Sequence, residues 1–180
     1  SVAVLESRRV GGGETLRTTA HLTEVLDTRY YQFISKFGLA KTTLIARSQG
    51  LAIQKIETIV HSENIPCDFR RVPGFLFGET NVDRDELERE AGALEALGFS
   101  SNLIDSAPLP FKSVRAIRIE NQAEFHPGKY LNGLVRAIMQ RGGHIFEGST
   151  VISAKDGAPC VLTLEGDRSV TSKFTFVAAN

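Results

Sequence analysis

The residues best suited to chemistry lie near the start of the chain: Glu6, Ser7 and Arg8, then Gly11, Gly12 and Gly13, then a hydroxyl-rich run holding Thr15, Thr18 and Thr19 before Ala20. A carboxylate has two acceptor oxygens and no proton to give, which suits it to receive the hydroxyls of a ribose. Glycines admit positive φ and let a backbone approach a ligand without a Cβ in the way. Threonine hydroxyls and free backbone N–H groups at a helix start favour an anion. Glu6 closes the apolar run Val2-Ala3-Val4-Leu5, whose short, non-alternating character predicts a parallel strand buried on both faces. Ligands of open α/β sheets gather beyond the carboxyl ends of strands, and an acidic residue ending the second strand of a dinucleotide fold accepts ribose hydrogen bonds. The same residues also describe a plain strand followed by a Gly-rich surface loop. The G-x-G-x-x-G turn that stands roughly 20 residues before such an acidic residue does not precede Glu6.

Other reactive types are scattered. Cys67 and Cys160 form no C-x-x-C, and His21, His61, His126 and His144 form no i,i+4 pair, so no metal site is expected. The two thiols read as reduced, structural cysteines of a cytoplasmic protein. His126 is an acid–base candidate by chemistry, but a histidine just before Pro127 more often caps or packs against a helix. Arg115 and Arg118 could clamp a carboxylate or lie on an exposed strand face. Catalytic residues stay unassigned.

The elements that would position these groups follow from periodicity. Leu26, Tyr30, Phe33, Ile34 and Phe37 keep helical spacing up to Gly38, as a core-packing stripe, and a longer amphipathic helix spans Leu39 to Ser62 with Gly50 weakening it inside. Cys67 to Val72 and Phe75 to Phe77 flank Pro73-Gly74, which predicts a β-hairpin. Asp83 as N-cap with Glu86 opens a helix ended by Gly98, with Glu88, Arg89, Glu90 and Glu95 on its solvated face. Strands are expected at Ser101 to Ile104 and Val114 to Ile119. Pro127 suits the first turn of a helix running to Gly142-Gly143. A meander of Thr150 to Lys155, Cys160 to Glu165 and Ser169 to Val177 completes the chain.

The segment VAVLES-RRVGGGETLRTTAHLT resembles the second-strand region of the FAD-dependent amino-acid oxidase superfamily (glycine oxidase, sarcosine oxidase, D-amino-acid oxidase), in particular a VLE…G-x-G-x-T-G-x-T-T-A-x-L-T pattern. A second likeness is the x-x-Pro-x-x-Tyr-Leu helix at Pro127, Tyr130 and Leu131, followed by Gly142-Gly143-His144-Ile145-Phe146-Glu147 and Thr150-Val151-Ile152. The resemblance implies that Glu6 binds the adenosine ribose of FAD, with Ser7 and Arg8 beside the adenosine. Gly13, Thr18, Thr19 and Ala20 would line the FAD loop, Val151 would meet the adenine through its main chain, and Ala178 would end a strand near the pyrophosphate. Leu16 stands where the pattern has a second glycine.

The resemblance covers the chain as an internal slice. The expected fold is α/β: an incomplete FAD/NAD(P)-binding Rossmann-like layer with an antiparallel β substrate-domain layer. Residues 1–66 would be part of the FAD-binding domain, 67–124 part of the substrate-binding domain, and 125–180 a return to the FAD-binding domain with the meander. The implied activity is oxidation of the C–N bond of an amino acid or related amine by hydride transfer to flavin, with the slice itself binding FAD weakly or not at all. An NAD(P)-binding protein and a non-catalytic Rossmann-like domain are the alternatives. With Lys plus Arg and Asp plus Glu equal at 21 each, no net field argues for a nucleic-acid partner. No apolar run approaches roughly 18 residues, so neither a membrane-spanning segment nor a leader is expected.

Overall fold

The computed structural model describes residues 1–111 and 113–178, with the side chains of residues 81 and 82 outside that description. The fold is mixed α/β and divides into two compact units, residues 1–18 with 131–180, and residues 19–130.

The unit of residues 19–130 is built on an antiparallel sheet. Its central strand β5 (Arg115–Glu124) pairs along its length with β3 (Arg70–Gly78), while β4 (Ser101–Ile104) and β2 (His21–Leu22) share the other side. Three helices accompany the sheet: α1 (Tyr30–Phe37), α2 (Leu39–Ser62) and α3 (Asn81–Ala96). Tyr30, Ala46, Leu87, Ala93, Leu94, Ile117 and Ile119 form one buried cluster, so each helix and β5 contribute to a single core. The expected aromatic stripe enters it through Tyr30 and Phe33, and the Tyr30 ring lies 5.2 Å from that of Phe99.

Several elements differ from the sequence expectation, each for a local reason. Pro73-Gly74 makes no hairpin: β3 runs straight through it, with a register shift between Val72 and Gly74 against β5. A bulge is where a strand accepts a residue without an N–H to give. Helix α3 starts earlier than predicted. Thr80 is its N-cap, and the Asp83 carboxylate returns to the Thr80 backbone N–H at 2.8 Å, so Asp83 is the far corner of the capping box. Gly98 and Phe99 then close the helix on Glu95 and Leu94 carbonyls, at φ +81° for Gly98. Gly50 has a packing reason inside α2: an added Cβ would stand 2.5 Å from the Glu24 carboxylate.

The largest correction concerns Glu90. Expected on a solvated face, it is 1% exposed and accepts hydrogen bonds from the backbone N–H groups of Tyr30 at 2.9 Å and Tyr31 at 3.1 Å. Helix α1 begins at Tyr30 rather than near Leu26, with Arg29 at its N-cap position giving no side-chain hydrogen bond. Glu90 supplies from α3 the acceptors that the local sequence does not.

The other unit holds the parallel part of the fold. Strand β1 (Ala3–Leu5) pairs in parallel with β6 (His144–Phe146), and most of α4 (Pro127–Gln140) belongs here. Strand β1 is not buried on both faces. Among the described residues it has one neighbour, and Val2 before it is 65% exposed. Strands β7 (Val151–Lys155), β8 (Cys160–Leu164) and β9 (Arg168–Ser172) form the expected antiparallel meander. The last strand stops at Ser172. Residues 173–178 pair with no strand among the described residues, and Phe176 is 93% exposed. The remainder of the expected terminal segment, Ala179 and Asn180, lies outside the described residues.

Replacing Glu90 by Ala strips two buried N–H groups of their acceptor and is expected to cost about 2–4 kcal/mol, read as a lower urea midpoint. Burial, with Glu24 and Glu90 nearby, pushes the Tyr30 phenol up to about 12, against about 10 in an unfolded chain. The protonated phenol therefore contributes stability that is whole below about pH 10 and is lost as pH rises through about 12. Urea midpoints measured across that window should fall more steeply for the wild-type chain than for Tyr30→Phe.

Candidate functional site

At the carboxyl end of β1 the chain is laced to the loop after β6 by backbone hydrogen bonds. Glu6 N–H donates to the Phe146 carbonyl at 2.9 Å, Ser149 N–H to the Glu6 carbonyl at 2.8 Å, and Gly148 N–H to the Arg8 carbonyl at 2.9 Å. The Glu6 side chain folds back on its own turn: Oε1 accepts from Arg8 N–H at 2.8 Å and from the Ser7 hydroxyl at 3.3 Å. This fixes the carboxylate's orientation, and Oε2 receives no hydrogen bond among the described residues. Ser149 is two residues before Val151, so this lacing joins Glu6, Ser7 and Arg8 to the segment leading into β7. Val151 pairs with Leu164 at a register shift that separates it from Ser153.

The glycine loop is a tight turn. Gly12 N–H reaches the Arg9 carbonyl at 2.8 Å with Gly11 at φ +75°, the geometry a turn with positive φ at its third position requires. Leu16 folds over it: a Cβ on Gly11 would lie 3.0 Å from Leu16 Cδ1. The departure from the glycine pattern at Leu16 is thus absorbed by the absence of a side chain at Gly11. Glu147, which sequence reasoning quoted only as part of a pattern, anchors the loop by accepting from Val10 N–H at 2.7 Å. A Cβ on Gly13 would meet nothing within 4 Å, which leaves that backbone open to a ligand.

No α-helix follows the glycines. Residues Glu14–Arg17 make one 3-10 turn, Thr18 is extended, and Ala20 takes φ +64°. The β-branched Thr15, Thr18 and Thr19 favour extended backbone, and β2 draws the chain onto β5 at once. The expected helix start with an anion-binding N-terminus is therefore absent.

Thr19 and Ala20 instead line a cavity of about 590 Å³ within the unit of residues 19–130, together with Asp68, Phe69, Arg70, Glu124, Phe125, His126 and Pro127. It sits where β2, β3 and β5 share an end, with His21 and Arg70 both opposite Glu124. Arg70 pairs with Glu124. Lys129 donates to Asp68 at 2.6 Å and holds that carboxyl below its ordinary value. His126 Nδ1 accepts from Lys129 N–H at 3.4 Å, so the histidine caps α4 as its position before Pro127 suggested. Sequence reasoning left Phe69 open between a ligand and the core and missed Asp68, Arg70 and Glu124, because strand register brings this end of the sheet together. Arg115 and Arg118 pair with Asp105 and Glu120. Cys67 and Cys160 are free thiols, and burial pushes the Cys67 thiol up. Among the described residues no group of three His, Cys, Asp or Glu side chains is placed to hold a metal ion, and no helix is long and apolar enough to cross a membrane.

These residues fit part of a dinucleotide. An oriented carboxylate ends a parallel strand and an open glycine backbone follows it, while the segment directly after the glycines, Glu14–Arg17, is a 3-10 turn and not an α-helix start for a pyrophosphate.

Solved structures share the fold. The glycine oxidase of Geobacillus kaustophilus superimposes with a TM-score of 0.75 at 16% identity, covering 96% of this chain and 46% of that one. The L-proline dehydrogenase of P. horikoshii gives 0.71 at 12% identity, covering 94% and 44%. The whole chain, residues 1–180, matches the DAO family of FAD dependent oxidoreductases, and it belongs to that family. Among curated relatives, YhfW of Bacillus subtilis, named for a Rieske 2Fe-2S iron–sulfur centre, is 31% identical over 96% of this chain and 34% of its own length. OrdL of Haemophilus influenzae, named as an oxidoreductase, is 25% identical over 99% of this chain and 43% of its own. The chain thus spans less than half the length of either relative.

Gly11→Ala puts a side chain at φ +75° against Leu16, and is expected to cost about 1–3 kcal/mol. Hydrogen exchange should register it as faster exchange at the Val10 and Gly12 amides.

Proposed function

We propose that this chain serves a FAD-dependent oxidoreductase that oxidises the C–N bond of an amino acid or related amine, with residues 1–66 and 125–180 contributing to the cofactor domain and 67–124 to the substrate side. The observation that carries this reading is Glu6, a carboxylate at the carboxyl end of a parallel strand, oriented by Arg8 N–H and Ser7 so that its second oxygen can accept from a ribose. Ser7 and Arg8 flank the adenosine, and Val151 meets the adenine through its backbone. Gly13 and Thr18 continue the cofactor loop, Thr19 and Ala20 border the flavin side, and Ala178 lies near the pyrophosphate. Bound flavin would supply the electron sink, taking a hydride from the carbon beside the amine. This chain's own residues hold and orient; none is required as a base if the amine arrives neutral. The glycine oxidase and L-proline dehydrogenase likenesses support a small amine-bearing substrate.

The full-length protein should purify with flavin absorbance, and Glu6→Ala should weaken FAD affinity roughly 10- to 100-fold, the worth of hydrogen bonds to a charged acceptor. Titration of the apoprotein with FAD measures this. Residues 1–180 alone should take up little flavin in the same titration. Unchanged affinity in Glu6→Ala would remove the ribose role.

A further inference from the structure

The chain is neutral overall, yet residues 28–56 carry Arg29, Lys36, Lys41, Arg47 and Lys55 with no acidic residue among them. Most of this stretch is α1 and α2. The core face of α2 is accounted for by Thr42, Ala46, Ile53 and Val60, all buried. Its opposite face is unusual. Leu44 is 67% exposed and Leu51 52% exposed. At about 100° per residue, seven positions bring these two leucines to within about 20° of one line along the helix. Lys55 falls on that line too, and Lys41 and Arg47 flank it at about 60° to either side. The exposed Ala40 and Ser48 fill the intervening positions without adding bulk or negative charge.

We propose that this outward face of α2 docks on an anionic phospholipid surface. Two leucines in file between long basic side chains are what a helix lying in a bilayer interface presents, with apolar tips reaching the acyl boundary and charged ends at the headgroups. The face is that of a single helix with no lining groove, which suits a plane of lipid better than a peptide held in a cleft. A second copy of the chain is disfavoured, because an isologous contact would set these basic side chains against their own copies. The absence of acidic residues lets the charges act together at the surface, where each basic residue attracts anionic lipid. Such an attachment would be peripheral and reversible, and it is independent of the cofactor reading.

Sedimentation of the full-length protein with phosphatidylglycerol/phosphatidylcholine vesicles tests this. Binding is expected to such vesicles, with little to pure phosphatidylcholine, and to weaken as added salt screens the charges. The pair Lys41→Glu/Arg47→Glu should lower partitioning roughly tenfold or more, and Leu44→Gln/Leu51→Gln should lower it as well. All four positions are exposed, and circular dichroism establishes that each variant is folded. No binding of the wild-type protein to phosphatidylglycerol vesicles, or wild-type binding by the charge-reversed pair, overturns the proposal. Binding that responds to the charge pair and ignores the leucine pair marks a general polyanion surface and overturns it equally.

Discussion

The antiparallel unit depends on the contact between the Glu90 carboxylate and the first turn of α1. A helix start leaves backbone N–H groups without partners, and burying them unsatisfied would cost more than one ordinary hydrogen bond returns. Arg29 gives no side-chain cap, so α1 can sit in the core only because α3 lends it two acceptor oxygens. The same contact seats Tyr30 at the centre of the core, where its ring meets Phe33 and Phe99 and its hydroxyl donates to the Glu24 carbonyl at 2.6 Å. The helix dipole favours negative charge at this end. Glu90 therefore joins polar satisfaction to apolar packing in one side chain.

The unit of residues 1–18 with 131–180 is organised differently. Backbone lacing, rather than a buried side chain, holds the end of β1 against the loop after β6, and short-range turns aim Glu6 and close the glycines. Glu6 is half-buried there, and Ser7 and Arg8 are exposed. The cavity near Thr19 and Ala20 is bordered by ion pairs that bind each other. Exposed pairs of this kind contribute little to stability.

Much of this was legible in the sequence wherever a pattern repeats. Helices α2 and α4 and the meander follow from periodicity and from Pro127, Gly38, Gly157 and Gly166. The place of Glu6 at the end of a parallel strand was legible from the apolar run before it. What failed to show was long-range. Glu90 looks like its neighbours Glu88 and Arg89 until α1 is placed over it. Pro73-Gly74 carries turn chemistry, yet β3 runs on through it because β5 pairs with it on both sides and takes up the extra residue, with Asn121 at positive φ. The run from Thr15 to Ala20 has the composition of a cap but forms a 3-10 turn and then an extended approach to β2, and positive φ at Ala20 has no signature in residue type. The cavity was invisible because Arg70, Glu124 and His21 meet only through strand register.

The pairing of β1 with β6 also bears on how the chain is made. Residues 19–130 form a continuous stretch whose contacts can close as it leaves the ribosome, whereas Ala3 cannot pair with β6 until His144 has been synthesised. Contacts so distant in sequence form late and slowly, and domains tend to fold as units in order of synthesis. The segment carrying Glu6 and the glycines thus waits for its parallel partner β6 while the contacts of residues 19–130 can already close. During that interval the apolar run of β1 lacks the strand it is paired with in the finished fold.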